Sequence, residues 1–202
     1  MKIALTGIVL ICSVVSAWSQ TFPSELWHQG KIVLVTEDTI SGKIKYDLTR
    51  DFVQVKSHGK LLVYAASKIL YFEIFDETTE DYRQFYSIPY SHTGGYKSPV
   101  IFEVLFEGKM TLLCREEVSV VSAQSNTYSI RGGNYTYEVL VYNYYFLDHT
   151  GNIVKYTNKK KDLMEVLSKR YDQVNKYMKQ RKLQHDKRVD LIRIVAFYNG
   201  MI

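Results

Sequence analysis

Hydrophobic positions in this chain recur with a period of two over most of its length, then switch to a period of 3.6 near residue 160. Alternation predicts strands at 31–35 and 40–46, joined by the polar turn Thr36-Glu37-Asp38-Thr39. In the second of these, Ile40, Gly42, Ile44 and Tyr46 share one face and Ser41, Lys43 and Lys45 the other. Strands at 52–56 and 61–64 flank Ser57-His58-Gly59-Lys60, where Gly59 can take the positive φ of a tight hairpin. The run 68–75 is apolar on both faces except at Glu73, which reads as an interior strand. A strand at 82–88 is halted by Pro89, and strands at 100–106 and 110–114 flank the turn Glu107-Gly108-Lys109.

Residues 119–133 are polar and end in Gly132-Gly133, the composition of a loop, with a short strand at 127–130. A long strand follows at 135–148; beyond Val139 both of its faces are apolar, the signature of a central strand. Gly151 turns the chain into a last strand at 153–156. The helical period then appears at Leu163, Val166 and Leu167, and again at Val174, Tyr177 and Met178. A final helix is expected from Asp186, a plausible N-cap, with Val189, Ile192, Val195 and Ala196 on one face. The fold class is therefore α+β: an antiparallel meander or half-barrel body at 20–157, with a C-terminal helical segment at 158–202 packed on it.

Several of these stretches occur together in one known group. Gly30-Lys-Ile-Val-Leu-Val, Ile40-Ser-Gly-Lys-Ile-Lys-Tyr46, Phe52-Val-Gln-Val-Lys56 and Lys68-Ile-Leu-Tyr-Phe72 resemble a meander of exported Bacteroidetes proteins. Phe102 to Leu112, the pair Tyr144-Tyr145, Lys159-Lys-Lys-Asp-Leu163 and Ala196-Phe-Tyr-Asn199 are similar to the same group. The resemblance implies an SH3-like or Sm-like half-barrel and an envelope or secreted location. It implies no activity, because the group is uncharacterised.

The first 19 residues change the picture of where the chain works. Lys2 gives them a positive start, an apolar run follows from Ile3 to Val15, and Ala17-Trp18-Ser19 sets small side chains at −3 and −1 of a cut before Gln20. This is the pattern of a cleavable secretory signal, and the run is too short for the roughly 20 residues of a spanning helix. Cys12 follows Ile11 rather than a small residue, so no lipid anchor is expected. The chain is read as exported, periplasmic or secreted, without a transmembrane span in its mature form. Removal of the signal also takes Cys12, leaving Cys114 without an intrachain partner and best read as a small core hydrophobe.

Charge is uneven. Residues 155–193 hold 13 Lys and Arg against 5 Asp and Glu, a net of +8, whereas the whole chain is +5. The body is therefore acidic or neutral and the tail strongly basic. For an exported chain this points to an anionic envelope component or an acidic protein partner and away from nucleic acid. Lys159, Lys160, Lys161, Lys169 and Arg170, with Lys176 and Lys179, are the candidate contact residues, although solvated helix faces would also carry such charges. Tyr142 and Tyr144, in the run Tyr142-Asn-Tyr-Tyr145, could form an aromatic platform for sugar or peptide, or pack within the sheet.

Signatures of catalysis are missing. The five histidines show no i, i+2 or i, i+4 pair that would suggest zinc, so no metal is expected. Asp76-Glu77…Glu80-Asp81 and Glu116-Glu117 read as solvated turns, and no Gly-x-Ser-x-Gly occurs. Gly94-Gly95 and Gly132-Gly133 lack the strand-to-helix context of a phosphate loop, so no cofactor is expected. The leading expectation is a non-enzymatic envelope-associated binding or scaffold module. A hydrolase acting on glycan or peptide and a small apolar-ligand carrier are the alternatives.

Overall fold

The structure, a computed structural model, describes residues 21–124 and 134–202. The expected signal segment, and the short strand expected at 127–130, lie outside the described residues. Ten strands form one open antiparallel sheet: β1 (His28–Leu34), β2 (Thr39–Asp47), β3 (Phe52–Ser57), β4 (Lys60–Ala65), β5 (Ile69–Asp76), β6 (Asp81–Tyr90), β7 (Ser98–Phe106), β8 (Met110–Gln124), β9 (Asn134–Asp148) and β10 (Ile153–Tyr156). Their order is β10-β9-β8-β7-β6-β5-β1-β2-β3-β4. The helices α1 (Lys160–Val166), α2 (Tyr171–Arg181) and α3 (Arg188–Asn199) follow. The α+β half-barrel expected from the residue pattern is the fold. The sheet does not close, so it is not a barrel: β4 and β10 are its two ends.

The strand registers align one set of side chains across the whole concave face. Tyr46 and Ile44 on β2 lead through Ile32 on β1 to Phe72, Ile74 and Asp76 on β5. The row continues through Arg83 and Phe85 on β6, Ile101 and Glu103 on β7, and Leu112, Cys114 and Glu116 on β8. It ends at Tyr142, Tyr144 and Phe146 on β9. Over the first strands this face curls onto itself, burying Ile32, Ile44, Val53, Val55, Phe72, Ile74 and Phe85. Phe72 and Phe85 stack with ring centroids 4.5 Å apart. Over the later strands the helices cover it, and Leu163, Leu167, Val174, Met178, Leu191, Ile194, Val195 and Tyr198 pack on Leu112, Cys114, Tyr144 and Phe146.

Two glycines permit the sharp curl. Gly30 and Gly42 are paired across β1 and β2. A Cβ on Gly30 would sit 2.1 Å from the Glu73 carbonyl oxygen, and one on Gly42 2.2 Å from that of Lys56. Neighbouring backbones pass too close there for any side chain.

Helix α3 is pinned to the sheet at both ends. Near its C-terminus the Asn199 amide accepts from the Met110 N–H at 2.9 Å and donates to the Met110 carbonyl at 2.8 Å, imitating a strand ladder. Its first turn carries Arg188, which reaches the concave face.

Four expectations need correction. Residues 119–124 are strand, not loop: β8 runs to Gln124 and pairs with β9 throughout. Pro89 does not stop β6, which continues to Tyr90 with Pro89 opposite Pro99. The last helix begins at Arg188 with Lys187 as its cap rather than Asp186. Finally, β9 is not central but lies next to the end strand β10. Both its faces are apolar because helices cover one side and Val100, Phe102 and Leu113 pack with Tyr145 on the other.

Candidate functional site

Five polar side chains stand on the core-facing row where only apolar ones are usual, and they meet at one point. Arg83 on β6 lies at the centre. Its Nε and Nη2 donate to the two oxygens of Glu103 at 2.9 Å each. Nη2 also donates to Glu116 Oε2 at 2.9 Å, and Nη1 donates to Asp76 Oδ2 at 3.0 Å and to the Tyr46 hydroxyl at 2.9 Å. The Tyr46 hydroxyl in turn donates to Glu116 Oε1 at 2.5 Å. From α3, Arg188 adds two bonds to Glu103, of 2.6 and 3.1 Å. Asp76, Arg83, Glu103 and Glu116 are buried, so Asp76 and Glu116 are core-facing strand residues and not the solvated turn residues expected from the sequence.

Burial alone would neutralise such groups, but the pairing reverses the outcome. Burial pushes the Glu103 carboxyl up, yet the bonds and charges of Arg83 and Arg188 hold it below its ordinary 4.5. Asp76 behaves likewise: burial raises it, while Thr78 and Arg83 hold it below 3.8. Burial raises the Tyr46 hydroxyl well above 10.0, so it stays a donor. Both oxygens of Glu116 accept hydrogen bonds, one from Tyr46 and one from Arg83. This cluster holds β2, β5, β6, β7, β8 and α3 together.

One residue along β8, on the other face, Arg115 performs a second cross-link. The β7–β8 register ends at Glu103 opposite Cys114. Past that point the strands separate, and the β2–β3 turn inserts. Arg115 donates to the Ile101 carbonyl at 2.6 Å and to Asp51 Oδ1 at 2.8 Å, and also bonds the Leu48 carbonyl. Asp51 Oδ1 accepts the Ile101 N–H at 2.8 Å. Two side chains thus take the backbone groups of Ile101. Clefts of about 320 and 230 Å³ open on either side of this turn, and Leu48, Thr49, Glu116 and Glu117 line both.

The helical segment presents a different surface. Lys159, Lys160, Lys161, Lys169, Arg170, Lys176 and Lys179 are all exposed. No ion pair joins any of them to an acid among the described residues, while the tail arginines Arg188 and Arg193 are paired with Glu103 and Asp190. Between α2 and α3 the rings of Tyr177 and Phe197 stack with centroids 4.0 Å apart and planes 8° from parallel. They line an open groove of about 570 Å³ with Arg170, Lys176, Gln173, Gln180 and Met201, and no carboxylate lines it.

The structure thus brings Arg170 next to an aromatic surface, but not the one expected from sequence. Tyr142 and Tyr144 lie on the concave face under the helices. Tyr144 is buried, and Tyr142 is half-buried with the Arg188 guanidinium 5.2 Å from its ring centre. Neither shares a surface with Lys159–Lys161. Cys114 is buried beside them, and burial first of all raises its thiol far above 9.0. Among the described residues no group of three His, Cys, Asp or Glu is placed to hold a metal ion.

The buried cluster and the Tyr177–Phe197 groove were both missed from sequence. The cluster left a readable signal. Asp76 follows Phe72 and Ile74 at the strand period, Arg83 precedes Phe85, Glu103 follows Ile101, and Glu116 follows Leu112 and Cys114. A charge in register with core residues is either paired or misplaced. The chain was also compared with known proteins, and no family model, curated protein or solved structure matches it.

Proposed function

We propose that the chain is an exported, non-enzymatic binding or scaffold module of the cell envelope whose contact face is the helical segment. One observation carries this reading: the exposed cations Arg170 and Lys176, in no ion pair among the described residues, line the open Tyr177–Phe197 groove. A cation held in an internal ion pair is already satisfied, as Arg188 is by Glu103. Arg170 and Lys176, like the exposed lysines at 159–161, keep their attraction for an external anion. The apolar floor of the groove adds desolvated contact area, which unpaired surface charge alone lacks. The ligand class is therefore anionic with an apolar or aromatic part: an anionic envelope lipid or glycan, or an acidic protein segment.

The sequence features of residues 2–19 support export, and no helix among the described residues is long and apolar enough to cross a membrane. The rest of the fold supports a scaffold rather than a reaction vessel. The concave face is filled by its own side chains and helices, and its most polar point is internally paired.

The test is binding of the purified chain to vesicles of anionic phospholipid, to zwitterionic vesicles and to a polyglutamate peptide. Binding to an anionic probe should fall at least about tenfold in Lys159→Glu/Lys160→Glu/Lys161→Glu and in Arg170→Glu/Lys176→Glu, with falling affinity as salt rises. Equal affinity for zwitterionic and anionic probes, or charge-reversed variants that bind like the parent, would overturn the reading.

A further inference from the structure

We infer that β4 is a self-pairing edge, through which two copies of this chain join their ten-stranded sheets antiparallel about a twofold axis at Leu62. The starting point is the lack of protection on this strand. Sheet edges are commonly blunted by proline, by charge or by a bulge. β4 pairs with β3 over all six of its residues without a register shift, and residues 61–65 read Leu-Leu-Val-Tyr-Ala. Leu61 and Val63 are 56% and 60% exposed.

The direction of the free backbone groups follows from the hairpin. Ser57 is opposite Lys60, and His58 and Gly59 between them have φ of 48° and 73°, both positive as a two-residue type I′ turn requires. The pair closing such a turn exchanges hydrogen bonds, and hydrogen-bonded pairs then alternate along the ladder. Leu62 opposite Val55 and Tyr64 opposite Val53 therefore spend their N–H and C=O groups on β3. Leu61 and Val63 direct theirs to the open edge.

A twofold axis at Leu62 sets Leu61 opposite the second copy's Val63, and Val63 opposite its Leu61. All four are residues with outward backbone groups, so both pairs exchange two hydrogen bonds. The same pairing places the two exposed aliphatic side chains directly opposite each other on the convex face, within reach of cross-strand contact. The two Leu62 residues form the intervening non-hydrogen-bonded pair, and Lys60 falls opposite Tyr64, so no like charges face across the seam. An axis at Val63 would also match the outward groups. It would set Leu61 against Ala65, however, where the chain leaves the strand for the 3₁₀ turn Ala66–Lys68. The register at Leu62 is the self-complementary one.

A single strand pair is a small interface, so the association is micromolar or weaker. Sedimentation equilibrium of the purified chain over about 1 µM to 1 mM should show a reversible monomer–dimer equilibrium. Val63→Pro removes an outward N–H without touching the β3 ladder and should sediment as a monomer. Should that variant fail to fold, Leu61→Lys/Val63→Lys serves instead, with the dissociation constant raised at least about tenfold. Leu62→Cys, made in a Cys12→Ser background, should oxidise to a disulfide-linked dimer, because the non-hydrogen-bonded pair brings its Cα atoms to about 4.5 Å. A wild type that stays monomeric over the whole range overturns the inference. So does a dimer that survives the lysine variant, or one that does not cross-link through position 62.

Discussion

Arg188, in the first turn of α3, and Glu103, on β7, are joined by two hydrogen bonds of 2.6 and 3.1 Å across 85 positions of sequence. The same carboxylate accepts a second fork from Arg83. One buried anion thus balances a cation of the sheet and a cation of the helical segment. The two sides of the pair are not equivalent. Replacing Glu103 by Gln leaves the buried Arg83 and the half-buried Arg188 short of charge, whereas replacing Arg188 by Met leaves Glu103 still paired with Arg83. Glu103→Gln should cost about 3–5 kcal/mol, the range for breaking a buried pair. Arg188→Met should cost about 1–3 kcal/mol. Urea midpoints of the two variants test the order, and an equal or reversed order would contradict it.

Acid should weaken the fold through the same cluster. Glu103 and Asp76 have folded-state pKa values held below their ordinary 4.5 and 3.8. A carboxyl depressed in this way stabilises the fold fully above its unfolded value, and that contribution disappears as pH falls through the folded value. Unfolding midpoints should therefore be flat from neutral pH down to about 5 and decline below about 4.5. Glu103→Gln should start lower and decline less steeply. A parallel decline in parent and variant would remove Glu103 from the acid response.

At the β2–β3 turn, a single carboxylate stands in for a missing strand. Asp51 Oδ1 accepts both the Ile101 N–H and the Arg115 guanidinium at 2.8 Å. Asp51→Ala should leave the Ile101 amide without its acceptor and destabilise the chain by about 1–3 kcal/mol. Hydrogen exchange resolved to the Ile101 amide reads this directly: it should speed up at least about tenfold more than amides of β9. Uniform acceleration across the sheet would mean that Asp51 acts on global stability alone.

How far the molecule could be read from its residues depended on whether a feature was local. The half-barrel strands and the change of period at the helices are local, because alternation and 3.6-residue spacing are properties of neighbours. The extension of β8 to Gln124 was hidden because Ser119 and Ser122 resemble loop residues, although Val118 and Val120 keep the strand period. The rank of β9 in the sheet was unreadable, since two apolar faces say that both sides are covered but not by what. The charged cluster was half legible. Parity marks Asp76, Arg83, Glu103 and Glu116 as core-facing, but their meeting with Tyr46 and Arg188 depends on how the sheet curls, which no short window of sequence contains. Tyr177 and Phe197 likewise belong to separate helices, and only the docking of α2 on α3 makes them one surface.

Cys114 offers a reporter for the docking of α3, because the helix and the cluster seal it together. Its sulfur lies 3.8 Å from Arg188 Nη1 and is buried against residues that include Leu112 and Tyr144. A thiol reacts as thiolate, and here burial both blocks access and opposes ionisation. In the parent chain, labelling by a thiol reagent at neutral pH, followed at the Cys114 peptide by mass spectrometry, should proceed only through opening of the structure. Glu103→Gln weakens the hold on Arg188 and should raise the labelling rate at least about tenfold. Asn199→Ala, which releases the other end of α3 from Met110, should raise it too, without touching any charge. Acceleration in Glu103→Gln alone would assign protection to the ion cluster; acceleration in both assigns it to the seated helix, the outcome expected from an α3 pinned at its two ends. Equal rates in the parent and both variants would show that α3 does not gate the thiol.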